Sequence, residues 1–256
     1  MRLQLLSDLH LETETFAPAP ADGAELLVLA GDIDAHWDGL ALFRNWPVPV
    51  IYVAGNHEFD RRDVGEAWSG LRRRCDTLGI RMLERESAVL TDAAGRRIRF
   101  VATVRWSDFD LFGAAQRPRA IRASGYFWKL MQATLDGRPF EADAMREEAL
   151  ACRAWLAEEL ARPNTGWDRT VAITHFGPSL RSADPRYGSQ PATASFCNAD
   201  DDLLPLADLW IHGHLHCRHD YQVEHPGGST RVVCHARGHS RRGEADGYIE
   251  RFVVEI

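Results

Sequence analysis

Short, mostly apolar runs, each ending in glycine or a polar residue, constrain this chain more than any other feature. Leu3–Leu6, interrupted only by Gln4, runs into Ser7-Asp8-Leu9-His10, Leu26–Ala30 into Gly31-Asp32, and Val50–Ala54 into Gly55-Asn56-His57-Glu58. Further on, Thr170–Thr174 leads to His175, and Leu209–His212 to Gly213-His214-Leu215-His216. Runs this short and this apolar read as strands covered on both faces. They predict an α/β fold whose strands deliver polar groups at their C-terminal ends, where α/β sheets bind ligands.

The intervening segments read as follows. Trp37–Trp46 and Arg61–Leu78 are expected helices, the second stopped by Gly79. Ile80–Leu83 is an expected short strand. Ala88–Thr91 and Ile98–Val104 form an expected hairpin around a turn at 92–95. Tyr221–Glu224 and Arg231–His235 form another around Pro-Gly-Gly, and Arg251–Ile256 is an expected terminal strand. Residues 106–169 look different. Trp106–Tyr126 is aromatic and basic with no clear period. Met145, Ala149, Cys152, Leu156 and Leu160 then recur at helical spacing, giving a long amphipathic helix that ends before Pro163 and packs on a sheet face. With no low-complexity linker and no fixed repeat, the expectation is a single domain over 1–256 with a variable helical and aromatic segment at about 106–169.

Composition narrows the class. A net charge of -7 disfavours a protein that grips nucleic acid through its whole surface. The 5 cysteines are odd in number, widely spaced and free of any CxxC pair. That argues against a disulfide framework and for a reducing cytoplasm. The opening MRLQLLSDLH is broken by Asp8 and reads as no signal peptide, and no stretch is long enough to span a membrane.

The 11 histidines are the compositional oddity, and several sit at the strand ends. Asp8 and His10, like His214 and His216, are spaced to point the same way in an extended segment. Taken singly, each block is also an ordinary turn, since Gly-Asp and Gly-Asn favour turns anyway. Together, five successive strand ends supply two Asp, one Asn and several His. Mixed oxygen and nitrogen donors suit divalent or trivalent first-row ions such as Mn, Fe, Zn or Co. Seven donors are too many for one ion that keeps an open position, and they suit two ions sharing a bridging carboxylate.

The order D-x-H, GD, GNH[ED], H, GHxH resembles the calcineurin-like metallophosphoesterases, particularly the small bacterial members. The resemblance spans most of the chain. It implies two mixed β-sheets packed as a sandwich and flanked by helices. It also implies that Asp8, His10 and His216 hold one metal, that Asn56, His175 and His214 hold the other, and that Asp32 bridges them. His57 would face the substrate, as a catalytic group that steadies the phosphoryl group or protonates the leaving oxygen. The implied reaction is hydrolysis of a phosphoester by in-line attack of metal-bound hydroxide.

One departure is informative. Position 35 is Ala35, where Ser/Thr protein phosphatases carry an Asp and purple acid phosphatases a metal-binding Tyr. This disfavours both subfamilies, and leaves support for His57 to another group, with Asp34 the nearest candidate. The expected substrate is a small phosphodiester or nucleotide rather than a phosphoprotein. Thr103–Tyr126 and His235–Arg242 are candidates to border the site, with Arg105 and Arg237 as candidate phosphate-binding residues. Trp106, Phe109 and Phe127 suit core packing better than base stacking. A DNA or RNA nuclease is the second reading. A non-catalytic protein-binding scaffold is the third, and the intact ligand positions and His57 count against it.

Overall fold

The computed structural model describes residues 1–256. In chain order the strands are β1 (Arg2–Leu6), β2 (Leu26–Ala30), β3 (Val50–Val53), β4 (Arg81–Met82), β5 (Glu86–Thr91), β6 (Arg97–Ala102), β7 (Thr134–Leu135), β8 (Arg138–Pro139), β9 (Arg169–Ile173), β10 (Leu209–His212), β11 (Arg218–His225), β12 (Gly228–His235) and β13 (Val253–Glu255). The helices are α1 (Val64–Leu78), α2 (Arg117–Met131) and α3 (Ala142–Leu160). A five-stranded sheet has the order β13-β1-β2-β3-β4 and a six-stranded sheet the order β11-β12-β10-β9-β6-β5. β1 to β4 are parallel, with β13 antiparallel at the edge. In the second sheet β12, β10, β9 and β6 are parallel, and β11 and β5 run antiparallel at its two edges.

The apolarity of the strands has a direct cause. Alternate residues go to different cores. Leu3, Leu5, Val28, Ile51 and Val53 meet Phe100, Val171, Ile173, Ile211 and Val233 between the two sheets. The residues between them, such as Leu27, Leu29 and Tyr52, face outward onto Leu71 and Cys75 of α1. On the far side, Val101, Ala172, Trp210 and Val232 pack against Leu156 and Leu160 of α3. Each such fully buried side chain contributes about 1.5–3 kcal/mol relative to exposure. The expected sandwich of two mixed sheets flanked by helices is the fold of this chain, and α3 lies on a sheet face as its periodicity implied.

Three local expectations need correction. The helix expected over 37–46 is a 3-10 turn, Asp38–Phe43, because Trp37 and Asn45 adopt left-handed backbone at either side of it. The helix expected from Arg61 starts at Val64, where the Asp63 carboxylate accepts the Gly65 N–H at 3.1 Å. The segment read as aperiodic contains α2. Its buried stripe is thin, limited to Ala120, Ser124 and Met131, and its larger apolar residues line a cleft instead of the core. No helix is long and apolar enough to cross a membrane.

Candidate metal centre

The loops that follow β1, β2, β3, β9 and β10 converge and are laced together by their backbones. The Asp8 N–H donates to Gly31 O at 3.0 Å, His10 N–H to Asp32 O at 3.1 Å and Gly213 N–H to His175 O at 3.0 Å. Across the two sheets, the His214 N–H donates to both Asp8 carboxylate oxygens, at 2.9 and 3.0 Å. Glycine is needed at two of these crossings. A Cβ on Gly213 would lie 2.6 Å from Asp8 Oδ2, and one on Gly31, which has φ of +89°, would lie 2.7 Å from Gly55 N. Asp8, His10, Asp32, His214 and His216 themselves adopt φ between 47° and 72°. Left-handed backbone at a non-glycine residue costs about 1–3 kcal/mol, and it concentrates where structure is built for function.

Two donor clusters result. Asp8, His10, Asp32 and His216 bring ligand atoms within 4.8 Å of one another, and so do Asp32, His175 and His214. Asp32 belongs to both. The His10 and His216 Nε2 atoms are 2.9 Å apart, and His175 Nε2 is 3.2 Å from Asp32 Oδ2. Asp32 Oδ2, Asn56 Oδ1 and His175 Nε2 are buried without any hydrogen-bond partner. Buried polar atoms are normally satisfied, so orphans such as the adjacent Asp32 Oδ2 and His175 Nε2 fit a bound cation. Charge says the same. Burial alone would push Asp32 upward, but His175, His57 and His10 hold it well below the usual carboxylate range. The buried Asp32 carboxylate thus sits where positive charge is favoured.

Carboxylates and carbonyls outside the clusters orient the rings. His10 Nδ1 bonds Glu12 Oε1 at 3.0 Å, and His216 Nδ1 bonds Glu244 Oε2 at 2.7 Å. His175 Nδ1 donates to Ala30 O at 2.8 Å. Each bond leaves Nε2 as the donor toward the centre, a device typical of metal-binding histidine. His214 is turned the other way: its Nε2 faces Ser195 O at 3.2 Å, which leaves Nδ1. Glu58 is fully buried and joins the β2 and β3 loops by accepting from Asp32 N, Ile33 N and Gly55 N at 3.1, 2.8 and 2.7 Å.

His57 sits at the rim, its side chain 27% exposed and its ring 5.0 Å from that of His10. Its Nδ1 bonds Asp60 Oδ2 at 2.8 Å, which leaves Nε2 free. Burial works against protonation, but Asp32 and Asp60 raise its pKa to about 10. The support expected from Asp34 comes from Asp60 instead. The Asp34 carboxylate is occupied by the His36 and Gly39 N–H groups.

Arg105 does not reach the centre. It is fully buried, and its guanidinium is spent on Asp200 (2.8 and 2.9 Å), Asp108 (2.7 Å) and the carbonyl oxygens of Trp106 and Ala149. The Arg237 backbone borders the centre, since its N–H donates to Ser7 O at 3.1 Å, but its side chain pairs with Glu14 at 3.1 Å and stacks over Phe16. Neither arginine is therefore free to bind phosphate. Trp106 and Phe109 are core residues, while Phe127 lines the cleft beside His57. His212 is buried against Ser182, and His219 lies in β11.

Three residues escaped sequence reasoning. Glu12 and Asp60 had a local signal, lying two and three residues after His10 and His57. Glu244 had none. His239 lies in the segment His235–Arg242 expected to border the site. His239 stacks 4.4 Å from His10 and joins it and His216 in a third potential donor group only because the chain folds back after β12.

No curated protein matches the chain in sequence. In three dimensions it is similar to a phosphopantetheinyl hydrolase from Mycobacterium tuberculosis, with a TM-score of 0.72 at 20% identity over 99% of this chain and 95% of that one. At that identity the likeness concerns the fold. The family model described as calcineurin-like phosphoesterase matches residues 1–218, a stretch that contains every donor of the two clusters sharing Asp32. On that match the chain belongs to the calcineurin-like phosphoesterase family and is a metal-dependent phosphoester hydrolase.

Proposed function

We propose that this chain is a dinuclear phosphoesterase acting on a small phosphodiester or monoester. The observation that carries the reading is that the two donor clusters share one buried carboxylate, Asp32. Asp8, His10 and His216 would hold one first-row ion and Asn56, His175 and His214 the other, with Asp32 between them. When bound, such a pair supplies Lewis acidity to a phosphoryl group and lowers the pKa of water toward neutrality. The protein's own contribution is orientation and proton transfer. Glu12, Glu244 and Ala30 O fix the rings, and Glu58 fixes the loops that carry Asp32 and Asn56. Asp60 holds His57 so that Nε2–H can be given to the departing oxygen, the work of a general acid.

A single-domain reading is supported by one shared core. Trp106, Ala120 and Met145 of the middle segment join Leu27 and Tyr52 of the first sheet. A cytoplasmic location is supported by five free cysteines.

The test is reconstitution with Mn²⁺ and assay of a bis-aryl phosphate diester beside an aryl monoester, with metal content measured on the same samples. A phosphopantetheine ester belongs in the panel because the structural neighbour is named for that group. About two ions per chain and turnover of at least one ester are expected. Asp32→Asn should lose both metal and turnover. A fully active Asp32→Asn protein, or a folded protein that takes up no metal, would overturn the dinuclear reading.

A further inference from the structure

We infer that the substrate's leaving group is neutral and apolar, and that its apolar edge is received in the cleft between the metal centre and α2. The inference rests on the reaction proposed for that centre.

The cleft opens beside His57 and His214 and encloses about 40 Å³ before it widens to the surface. Its walls are Phe127, Trp128 and Leu130 of α2, with Phe176 opposite. Phe127 meets Phe196 edge-to-face at 5.0 Å, and Phe176 lies 4.2 Å from the His214 ring, so an aromatic wall continues up to a metal-ligand candidate. Leu130 is 46% exposed and the neighbouring Tyr126 58% exposed, which extends the apolar surface beyond the mouth.

His57 decides which part of the substrate enters. The water oxygen bonds to phosphorus as the bond from phosphorus to the leaving oxygen breaks. The Nε2 proton of His57 goes to that oxygen, and the water's own proton is released and restores His57 through solvent. The leaving group therefore lies on the His57 side, within this cleft. No lysine or arginine lines it. Apart from His57, whose proton goes to the leaving oxygen, the cleft offers no cationic side chain to a further phosphate or carboxylate on the leaving group, which would shed hydration there at a cost. A neutral ring would gain from burial and from edge-to-face packing. This separates aryl or similarly apolar esters from esters whose alcohol carries its own charge.

The experiment uses the Mn²⁺-reconstituted full chain and two aryl phosphates of matched leaving-group acidity, one neutral and one bearing a sulfonate on the ring. The neutral ester should be favoured at least tenfold in kcat/KM. In parallel, calorimetry should show benzylphosphonate binding at least tenfold tighter than its ring-carboxylated analogue. Phe127→Ser and Leu130→Gln should each shrink both ratios severalfold; Leu130 is surface-exposed, so its variant keeps the fold. Equal turnover of the two esters together with equal binding of the two phosphonates overturns the cleft assignment, as do ratios unchanged in both variants. Failure to turn over either ester overturns the reaction on which the assignment rests.

Discussion

Replacing Glu58 tests how the centre is held together. Its carboxylate is fully buried and is the sole side-chain acceptor for the N–H groups of Asp32, Ile33 and Gly55. Removing it in Glu58→Ala strands three buried donors that lie in turns with no backbone partner of their own. A hydrogen bond to a charged group contributes about 1.5–3 kcal/mol, and a stranded buried donor costs about 1–3 kcal/mol. The three share one carboxylate, so they do not simply add. Burial, then the nearby Asp32 charge, push Glu58 upward, which offsets part of the gain. A loss of about 3–5 kcal/mol is therefore expected, against a typical total of about 5–15 kcal/mol. Glu58→Gln keeps the shape but offers one acceptor oxygen and turns an NH₂ toward a donor, so its loss should be smaller, about 2 kcal/mol. Urea unfolding at constant m-value reads the stability. Calorimetric Mn²⁺ titration should show affinity weakened by roughly 10-fold to 100-fold, as for other groups that orient metal ligands. A Glu58→Ala protein within about 0.5 kcal/mol of wild type would refute the argument.

His57→Ala should lower kcat by about 10²–10⁴ with metal content unchanged, and Asp60→Asn should give a smaller loss in the same direction; a variant that sheds metal instead would make His57 a ligand. Arg105→Met leaves Asp108 and Asp200 buried with reduced compensation, so thermal unfolding should report about 3–5 kcal/mol of destabilisation, while KM stays unchanged in protein that remains folded. A raised KM without destabilisation would return Arg105 to the substrate. Burial pushes Glu84 up to about 7, above its value in an unfolded chain. The folded state thus keeps a proton that the unfolded state releases, and stability should fall as pH rises from about 4.5 to 7. Glu84→Gln lacks that slope, so the stability difference between wild type and variant should shrink or change sign across this window; parallel curves would contradict the assignment.

Much of this protein was legible as a string. Buried strands are apolar at nearly every position because both faces are covered, and that pattern revealed β1, β2, β3, β9 and β10 with their polar ends. The metal-ligand candidates were legible because each follows its strand at once, where chain direction alone fixes the location. What lay beyond local reach was the choice among charged side chains. Arg105 and Arg237 read like free phosphate-binding groups, but each is neutralised by acids far along the chain, Asp200 and Glu14. Glu244 and His239 reach the centre through the return of the chain after β12, and α2 presents its aromatic residues to a cleft that no single helix can form. The sequence alone determined the strands and which residues they deliver, because backbone geometry and burial act residue by residue. Only the tertiary structure decided which charges are spent on one another and which remain for a substrate, because that depends on pairs as distant in the chain as Arg105 with Asp200 and Arg237 with Glu14.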